Sequence, residues 1–274
     1  MQNRLSDFME SNAILYNKQF GFRKNHSTTH AIIEVVDKIT EALDQRKITI
    51  GVFLDLSKAF DTIKHDILFE KLEHYGIRGL TLKWLKSYLT DRFQQVYYAK
   101  KISNLVPITC GVPQDSILGP LLFLIYINDI ANCTNNLLVY LFADGTSVFI
   151  TGEKDQTLFE NMNCELPNLS NWFNDNLLSL NPNKSNYIIF IGPRKKLPDD
   201  PNKTIILNNI AIKRVSNVKF LGVIIDEHLT WKSHINLVKN KAAKMIGIIK
   251  RLKFTLPLSA LRIFVMIITN FRIN

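Results

Sequence analysis

Two aspartates at the ends of apolar segments are the residues with the clearest chemical potential. Asp55 follows the strand-like run 48–54 (ITIGVFL), and Asp144 lies between two strand-forming runs, 138–142 and 147–150. An ionised carboxylate at the end of a buried strand is costly unless it is paired or bound to a metal ion. We therefore expect the two carboxylates to face each other across one cleft and to share a metal site.

The stretch around Asp144 also has a simpler explanation. The turn Ala143-Asp144-Gly145-Thr146 stands between the two runs, and Asp-Gly is a strong β-hairpin signal because glycine adopts positive φ without steric cost. An ordinary hairpin in which Asp144 forms an Asx-type turn would explain this stretch without any function. The second strand-end aspartate, Asp55, is what favours a functional site.

The remaining chain predicts the elements that must position this pair. Pro167 should bend or split the helix predicted near 156–175, and Gly76 can cap the one predicted near 64–75. Helical spacing and apolar runs predict helices through 32–43 and near 64–75, 81–90, 119–131, 156–175, 231–252 and from 257, and strands at 48–56, 93–100, 105–110 (with Lys101–Asn104 as their turn), 186–191, 204–213 and 218–225. Helices beside short antiparallel strands, with a basic helical tail, indicate an α+β protein.

The charge is concentrated in one part of the chain. The protein has a formal net charge of +10. Residues 184–253, the basic C-terminal block, contain 15 Lys and Arg against 4 Asp and Glu, and the remainder carries −1. Such a block is typical of a surface that binds a polyanion. A merely soluble basic face is the alternative.

Composition excludes several classes of protein. The 274 residues, 46% hydrophobic, suffice for one large domain or two modest ones. The three cysteines have no CxxC spacing, which indicates neither a zinc site nor a disulfide framework and fits an intracellular location, in cytoplasm or nucleus. The N-terminus has no apolar core for a signal peptide, and the longest apolar run, 117–130, is broken and too short to span a bilayer. We expect no membrane partner.

A series of motifs in a fixed order resembles a reverse transcriptase. The resemblance covers residues 18 to about 250 and is closest to the jockey-like branch of non-LTR (LINE-type) retrotransposons. The motifs are Gln19-Phe-Gly-Phe-Arg23 with His26-Ser27-Thr28, Phe53-Leu-Asp55-Leu-Ser-Lys58-Ala-Phe60-Asp61, Gly111-Val-Pro-Gln114-x-Ser116-Ile-Leu-Gly-Pro120, Leu141-Phe-Ala-Asp144, Leu180-Asn181-x-x-Lys184 and Phe220-Leu-Gly-Val.

The resemblance implies a right-hand polymerase fold with an antiparallel palm sheet covered by helices. Residues 1–47 would be part of the fingers, 48–230 the palm with interspersed fingers segments, and 231–274 the beginning of the thumb. The implied activity is that of an RNA-directed DNA polymerase, which copies an RNA template by extending a DNA primer with dNTPs. The implied cofactor is Mg²⁺, with Mn²⁺ as an alternative ion.

The resemblance also assigns catalytic roles. Asp55, Asp144 and the carbonyl of Leu56 would hold two divalent ions, for which hard oxygen ligands are suitable. One ion would activate the primer 3′-hydroxyl and the other would steady the leaving pyrophosphate. Lys184 matches the residue proposed to protonate pyrophosphate, although most lysines are simply solvated.

Other matched positions would bind nucleotide and primer. Arg23 would meet the incoming triphosphate, a bidentate role that suits a guanidinium. Gln114 would pack against the nucleotide and template. Phe60 matches the residue that screens the sugar for a 2′-hydroxyl, and a plain core aromatic is its alternative. The primer-grip hairpin would contain Phe220, Leu221 and Gly222.

Two positions depart from the family pattern. The family has Ala-Asp-Asp at the hairpin turn, where this chain has Gly145 as the third residue, and it has Pro-Gln-Gly where this chain has Asp115. The first change deletes a carboxylate from the metal site. The second adds a side chain and a negative charge where nucleic acid approaches the backbone. Each change requires a single nucleotide, as expected of a decaying element.

Two functions remain open at this point. The chain is either an active or nearly active polymerase domain, or a catalytically dead remnant that keeps the fold and binds nucleic acid. Gly145 favours the second with respect to activity. The resemblance further implies a truncated copy, which begins within the fingers, lacks an endonuclease segment and ends within the thumb.

Overall fold

The computed structural model describes residues 1–113, 116–193, 195, 203–257, 259–263 and 266. Its α-helices are α1 (Gln2–Ser11), α2 (Thr28–Asp44), α3 (His65–His74), α4 (Gly79–Leu89), α5 (Gly119–Ile127), α6 (Asp155–Asp175) and α7 (Lys232–Leu252). Its strands are β1 (Ile48–Leu54), β2 (Leu56–Ser57), β3 (Phe93–Gln94), β4 (Tyr97–Tyr98), β5 (Lys101–Ile102), β6 (Val106–Pro107), β7 (Leu138–Phe142), β8 (Gly145–Gly152), β9 (Ser179–Leu180), β10 (Asn186–Phe190), β11 (Ile206–Leu207), β12 (Ile210–Ala211), β13 (Lys213–Arg214), β14 (Asn217–Phe220) and β15 (Val223–Asp226).

The centre of the fold is a sheet of five strands within the described residues, in the order β13-β10-β1-β8-β7. β1 pairs antiparallel with β8 on one side and with β10 on the other. β7 and β8 form a hairpin, and β13 pairs in parallel with β10. β1 can occupy the middle because it is apolar on both faces.

The two faces of the sheet pack against different layers. Ile48, Ile50, Val52 and Leu54 point into a core shared with α3 to α6, whereas Phe53 joins a second core with α2 and with β14 and β15. This arrangement confirms the α+β class. It also explains the glycine within β1. A Cβ at position 51 would lie 2.7 Å from the ring of Phe149 on the facing strand.

The helix near 156–175 is not split by its proline. α6 runs from Asp155 to Asp175 as one helix with Pro167 inside it. Packing of a continuous apolar face outweighs the loss of one backbone hydrogen bond, because tertiary contacts supply most helical stability. The buried residues of that face include Leu158, Met162, Leu166, Leu169 and Phe173.

The segment 93–107 forms the expected hairpin, but with a different turn. Tyr98 pairs with Lys101, so that Ala99 and Lys100 occupy the turn, with φ of 47° and 65°. The predicted turn at Lys101–Asn104 is therefore wrong. A two-residue turn with positive φ at both positions matches the twist of the strands, and this preference outweighs the polar composition of 101–104.

α7 lies within the predicted range 231–252, and none of its residues is buried. Asp226, at the end of β15, ties down its start, because the carboxylate accepts hydrogen bonds from the N–H groups of Thr230 (2.9 Å) and Trp231 (2.7 Å). Residues 259–263 are also helical, as predicted from 257 onward. Within the described part of the chain, no helix has the length and apolarity needed to cross a membrane.

Candidate active site

Strand register brings the two aspartates to one edge of the central sheet. Leu54, the last residue of β1, pairs with Thr146 of β8. Continuing this register by one residue sets Asp55 opposite Gly145, and Asp144 precedes Gly145 in the turn between β7 and β8. Asp55 is half-buried and Asp144 is exposed. The facing of the two carboxylates across one cleft remains a prediction, whereas their shared sheet edge follows from the pairing.

In the turn between β7 and β8, the residue with positive φ is not the expected one. Phe142 pairs with Gly145, so that Ala143 and Asp144 form a two-residue turn and Gly145 already belongs to β8. Ala143 has the positive φ, 54°, and Gly145 does not. Among the described residues other than its chain neighbours, the atom that a Cβ at position 145 would meet within 4 Å is the carbonyl oxygen of Phe142, at 3.2 Å. The dihedral angle φ therefore does not require glycine at this position, but a side chain would need the Phe142 carbonyl to shift by a few tenths of an ångström.

A segment from the N-terminal motif holds this turn in place. Phe20 donates its N–H to the carbonyl of Leu141 (2.9 Å), and Leu141 donates its N–H to the carbonyl of Lys18 (2.9 Å). Gly21 follows directly, and a Cβ there would lie 2.2 Å from the backbone nitrogen of Ala143. Sequence reasoning used this glycine only as part of a motif. Its physical role is to let the N-terminal segment approach the turn that carries Asp144.

The loop after β9 holds the backbone of Asp55. Asn181 donates its N–H to the Asp55 carbonyl (2.8 Å), and the Asp55 N–H donates to Oγ of Ser185 (3.1 Å). Lys184 belongs to the same tight turn, and its side chain is exposed. Asp55 and Lys184 line one cleft of about 270 Å³, together with Asn186 and residues 217–219 of β14. Sequence reasoning did not anticipate Ser185 or Asn186 here.

The carbonyl of Leu56 lies on the open side of its strand. β2 pairs with β9 through Leu56 and Leu180. Hydrogen-bonded and non-hydrogen-bonded pairs alternate in an antiparallel ladder. Because Asn181 hydrogen-bonds to Asp55, the next pair is the non-bonded one, and the peptide groups of Leu56 point away from β9. This carbonyl is therefore not used by the ladder.

Arg23 is held by protein groups in this structure. Its guanidinium makes a bidentate ion pair with Glu10, with Nε–Oε1 of 2.9 Å and Nη2–Oε2 of 2.6 Å. Nη1 donates to the carbonyls of Tyr16 (2.8 Å) and Gln19 (3.3 Å). The hydrogen bond from Arg23 is the main reason that the pKa of Glu10 lies below its usual value. A triphosphate would therefore have to replace Glu10, which no sequence signal singled out.

Phe60 packs against the core and remains partly exposed, and its role in screening the sugar stays a prediction. It lies in a short 3₁₀ turn, Ala59–Asp61, and its half-buried ring is 4.6 Å from the buried Phe123 ring. The ring of Phe22, which is exposed, also lies edge-on to it at 6.3 Å. The ring of Phe60 thus contacts the core and is only half-buried. The expected positions Gln114 and Asp115 lie outside the described residues.

The family assignment rests on a direct match. Residues 1–225 match the family model described as reverse transcriptase (RNA-dependent DNA polymerase). The chain belongs to the reverse transcriptase family. This confirms the resemblance drawn from the ordered motifs.

Similar proteins place the reverse transcriptase domain among those of non-LTR elements. It is 32% identical over 252 residues to a probable RNA-directed DNA polymerase from transposon BS of Drosophila melanogaster, covering 85% of this chain and 26% of that protein. It is 28% identical over 258 residues to the RNA-directed DNA polymerase from mobile element jockey of the same organism, covering 90% and 28%. The chain thus spans about a quarter of the length of these relatives.

Solved structures confirm the right-hand polymerase fold. Telomerase from Candida tropicalis, in an apo form truncated from its C-terminal domain, superposes with a TM-score of 0.54 at 11% identity, covering 84% of this chain and 43% of that one. The same enzyme in complex with a fragment of telomeric RNA gives 0.56 at 12% identity, covering 84% and 36%. At this identity the likeness concerns the fold alone.

The hairpin that matches the primer grip forms as expected of a reverse transcriptase. β14 and β15 pair antiparallel, with Phe220 opposite Val223. Leu221 and Gly222 form the two-residue turn with φ of 47° and 92°. β14 also borders the cleft that contains Asp55. The hairpin is therefore adjacent to the candidate site.

The oxygen donors fit a divalent cation in type. Asp55, Asp144 and the Leu56 carbonyl supply hard oxygen ligands of the kind that Mg²⁺ prefers. Among the described residues, no group of three or more His, Cys, Asp or Glu side chains is arranged to hold a metal ion. Gly145, the position where the family pattern has a second aspartate, adds no ligand. Compared with the family pattern, the chain therefore has one aspartate fewer at this turn.

Proposed function

We propose that this domain catalyses RNA-directed DNA synthesis, extending a DNA primer on an RNA template with dNTPs. The observation that supports this most strongly is the pairing of Leu54 with Thr146, which brings Asp55 and the turn residue Asp144 to one sheet edge. Lys184 lines the same cleft as Asp55. The reaction class follows from family membership, and the residue roles are part of the proposal.

The proposed metal ligands are Asp55, Asp144 and the carbonyl of Leu56. Bound Mg²⁺ would supply activation of the primer hydroxyl and stabilisation of the departing pyrophosphate. The chain itself fixes the ligands. Asn181 and Ser185 hold the peptide of Asp55, and the close approach of Gly21 supports the turn that carries Asp144.

The proposed substrate contacts surround this edge. Lys184 would give a proton to pyrophosphate, and Phe60 would screen the sugar. Arg23 would exchange Glu10 for the triphosphate, and Gln114 would lie against nucleotide and template. The hairpin tip 220–222 would position the primer. In this scheme residues 1–47 belong to the fingers, 48–230 to the palm and 231–274 to the thumb.

We further propose that this copy is impaired by Gly145 and Asp115. Deleting a carboxylate weakens ion binding at the reacting centre. Removing one comparably placed electrostatic group costs about 10²–10³ in rate. The same observation favours a second candidate function, a nucleic-acid-binding remnant that keeps the fold without polymerising. The basic C-terminal block supports binding under either function.

Primer extension on poly(rA)/oligo(dT) with Mg²⁺ or Mn²⁺ tests the proposal. We expect slow incorporation that Asp55→Asn abolishes. Asp44→Asn, which changes an exposed aspartate at the end of α2, is the matched control and should leave the rate unchanged. If the chain binds the primer–template but neither ion nor the Gly145→Asp/Asp115→Gly double variant gives extension, the remnant is the correct function.

A further inference from the structure

The hairpin of residues 92–108, here called the exposed hairpin, is not covered on either face by the part of the chain that the structure describes. β3 pairs with β6 and β4 pairs with β5, and all eight strand residues are exposed. A two-stranded hairpin with both faces in water is marginally stable. An exposed apolar surface of this kind marks an interaction site.

Aromatic rings and cations share this surface. The side chains of Phe93, Tyr97 and Tyr98 are 58%, 69% and 81% exposed. Residues 92–113 contain three basic side chains and no acidic one. Tyr98 pairs directly with Lys101, so that a ring and an ammonium group stand side by side on one face.

These features select one kind of occupant. Proteins bind single-stranded nucleic acid by stacking bases on exposed aromatic rings beside cations that follow the phosphates. A docked protein would require apolar surface, but it would not require a segment of 22 residues to lack every acidic side chain. The charge therefore favours a polyanion, and the rings favour one with unpaired bases.

Aromatic and basic side chains continue from the exposed hairpin to α4, and a cleft at the base of the hairpin adjoins the Phe60 motif. Trp84 and Tyr88 of α4 stack at 5.6 Å with an interplanar angle of 6°, and the guanidinium of Arg92 lies 6.0 Å from the Tyr88 ring. At the base of the hairpin, Arg92 lines a cleft of about 540 Å³ with residues 107–113 and Asp61. The same loop is bonded to the Phe60 motif, since Val112 donates its N–H to the Phe60 carbonyl (3.0 Å).

We propose that the exposed hairpin binds the unpaired part of the RNA template and directs it toward the cleft at its base. Tyr97 and Tyr98, whose side chains point to opposite faces of β4, would each stack on a base, and Arg92, Lys100 and Lys101 would contact phosphates. The identity of the strand as template rests on the proposed function. Binding itself does not, because it requires neither nucleotide nor an intact metal site.

The test is fluorescence anisotropy of labelled poly(rU) without dNTPs. Tyr97→Leu/Tyr98→Leu keeps apolar bulk but removes both rings, and Tyr97→Phe/Tyr98→Phe is the matched control that keeps them. Stacking contributes about 1–3 kcal/mol per base, which corresponds to roughly 5- to 140-fold in affinity. We expect the leucine pair to bind at least about 5-fold more weakly and the phenylalanine pair to bind within about 2-fold of the parent. Duplex RNA, whose bases are already stacked, should bind both variants equally.

A charge variant provides a second measurement. Lys100→Gln/Lys101→Gln should lower the slope of log Kd against log salt by about 1.4, since each phosphate contact to a single strand contributes about 0.7.

Equal poly(rU) affinity of the parent and the leucine pair would overturn the proposal. Equal weakening of poly(rU) binding in the leucine and phenylalanine pairs would also overturn it. So would a light-scattering result in which the leucine pair loses self-association but keeps its affinity for poly(rU). Tighter binding of oligo(dT) than of poly(rU) would refute the assignment to RNA template. Primer extension by the parent tests the polymerase function separately.

Discussion

Replacing Gly21 by alanine should disturb the turn that carries Asp144. The added Cβ would lie 2.2 Å from the nitrogen of Ala143 and 3.0 Å from both its Cα and the carbonyl carbon of Phe142. All three are backbone atoms, so no rotamer change can relieve the contact. An ordinary van der Waals contact begins near 3.4 Å. The N-terminal segment must therefore withdraw by roughly 1 Å, as overpacking in a dense interior requires.

The magnitude follows from what this withdrawal breaks. Two backbone hydrogen bonds, from Phe20 to Leu141 and from Leu141 to Lys18, join the segment to β7. Each contributes about 1 kcal/mol net, and overpacking costs about 1–3 kcal/mol. Together these terms predict that the free energy of unfolding falls by roughly 3–5 kcal/mol. In a chain made active by Gly145→Asp, a 1 Å displacement of Asp144 should also lower the rate by about 10²-fold.

Urea unfolding followed by circular dichroism measures the stability change. Gly192→Ala is the matched control, because no described residue beyond its chain neighbours has an atom within 4 Å of the added Cβ, and its φ is not positive. This control should be neutral or stabilising by a few tenths to about 1 kcal/mol through the unfolded state. If Gly21→Ala unfolds at the same urea concentration as Gly192→Ala, the contact with Ala143 does not constrain the turn and the reasoning is refuted.

Three further results are expected. Gly145→Asp with Asp115→Gly should raise kcat for primer extension in Mg²⁺ by at least about 10²-fold with little change in primer binding; equal rates would mean that residue 145 does not limit the metal site. Because Arg23 lowers the pKa of Glu10 in the folded state, this carboxylate stabilises the fold above its usual pKa of about 4.3, and that stability is lost as pH falls through the folded pKa. Glu10→Gln should therefore flatten the decline of the urea midpoint below about pH 4.3, and an unchanged decline would contradict the pairing. Nucleic acid binding by the basic C-terminal block (184–253) should weaken linearly in a plot of log Kd against log salt, and a salt-insensitive affinity would argue against this surface.

Local pattern predicted most of the elements of this fold. The continuous apolar run of β1 and the helical spacing of apolar residues in α2 and α6 are strong signals, and each of these three elements forms within a few residues of its predicted bounds. The two hairpin turns were less predictable. At 99–100 and at 143–144 the pairing register decides which residues adopt positive φ, and register depends on partners that a local window does not contain.

The site shows the same division between local and long-range information. The ordered motifs identified Asp55, Asp144 and Lys184, and strand pairing brings the first two to one edge. The groups that hold Arg23 and Asp55 come from elsewhere in the chain. Glu10 is 13 residues from Arg23 in sequence, and Ser185 is 130 residues from Asp55. Neither pairing has a sequence signature, since a carboxylate on a helix and a hydroxyl in a loop are common.

The hairpin turn separates what the fold needs from what the chemistry needs. Ala143 adopts positive φ although glycine would do so at lower cost, and Gly145 lies in ordinary strand conformation. The close approach of Gly21 and the pairing of Phe142 with Gly145 fix the turn whether or not residue 145 has a side chain. A carboxylate can therefore be lost at position 145 without loss of the strand, the sheet edge or the exposed hairpin. We therefore expect binding of nucleic acid to survive in this chain even where polymerisation is impaired by the glycine at the start of β8.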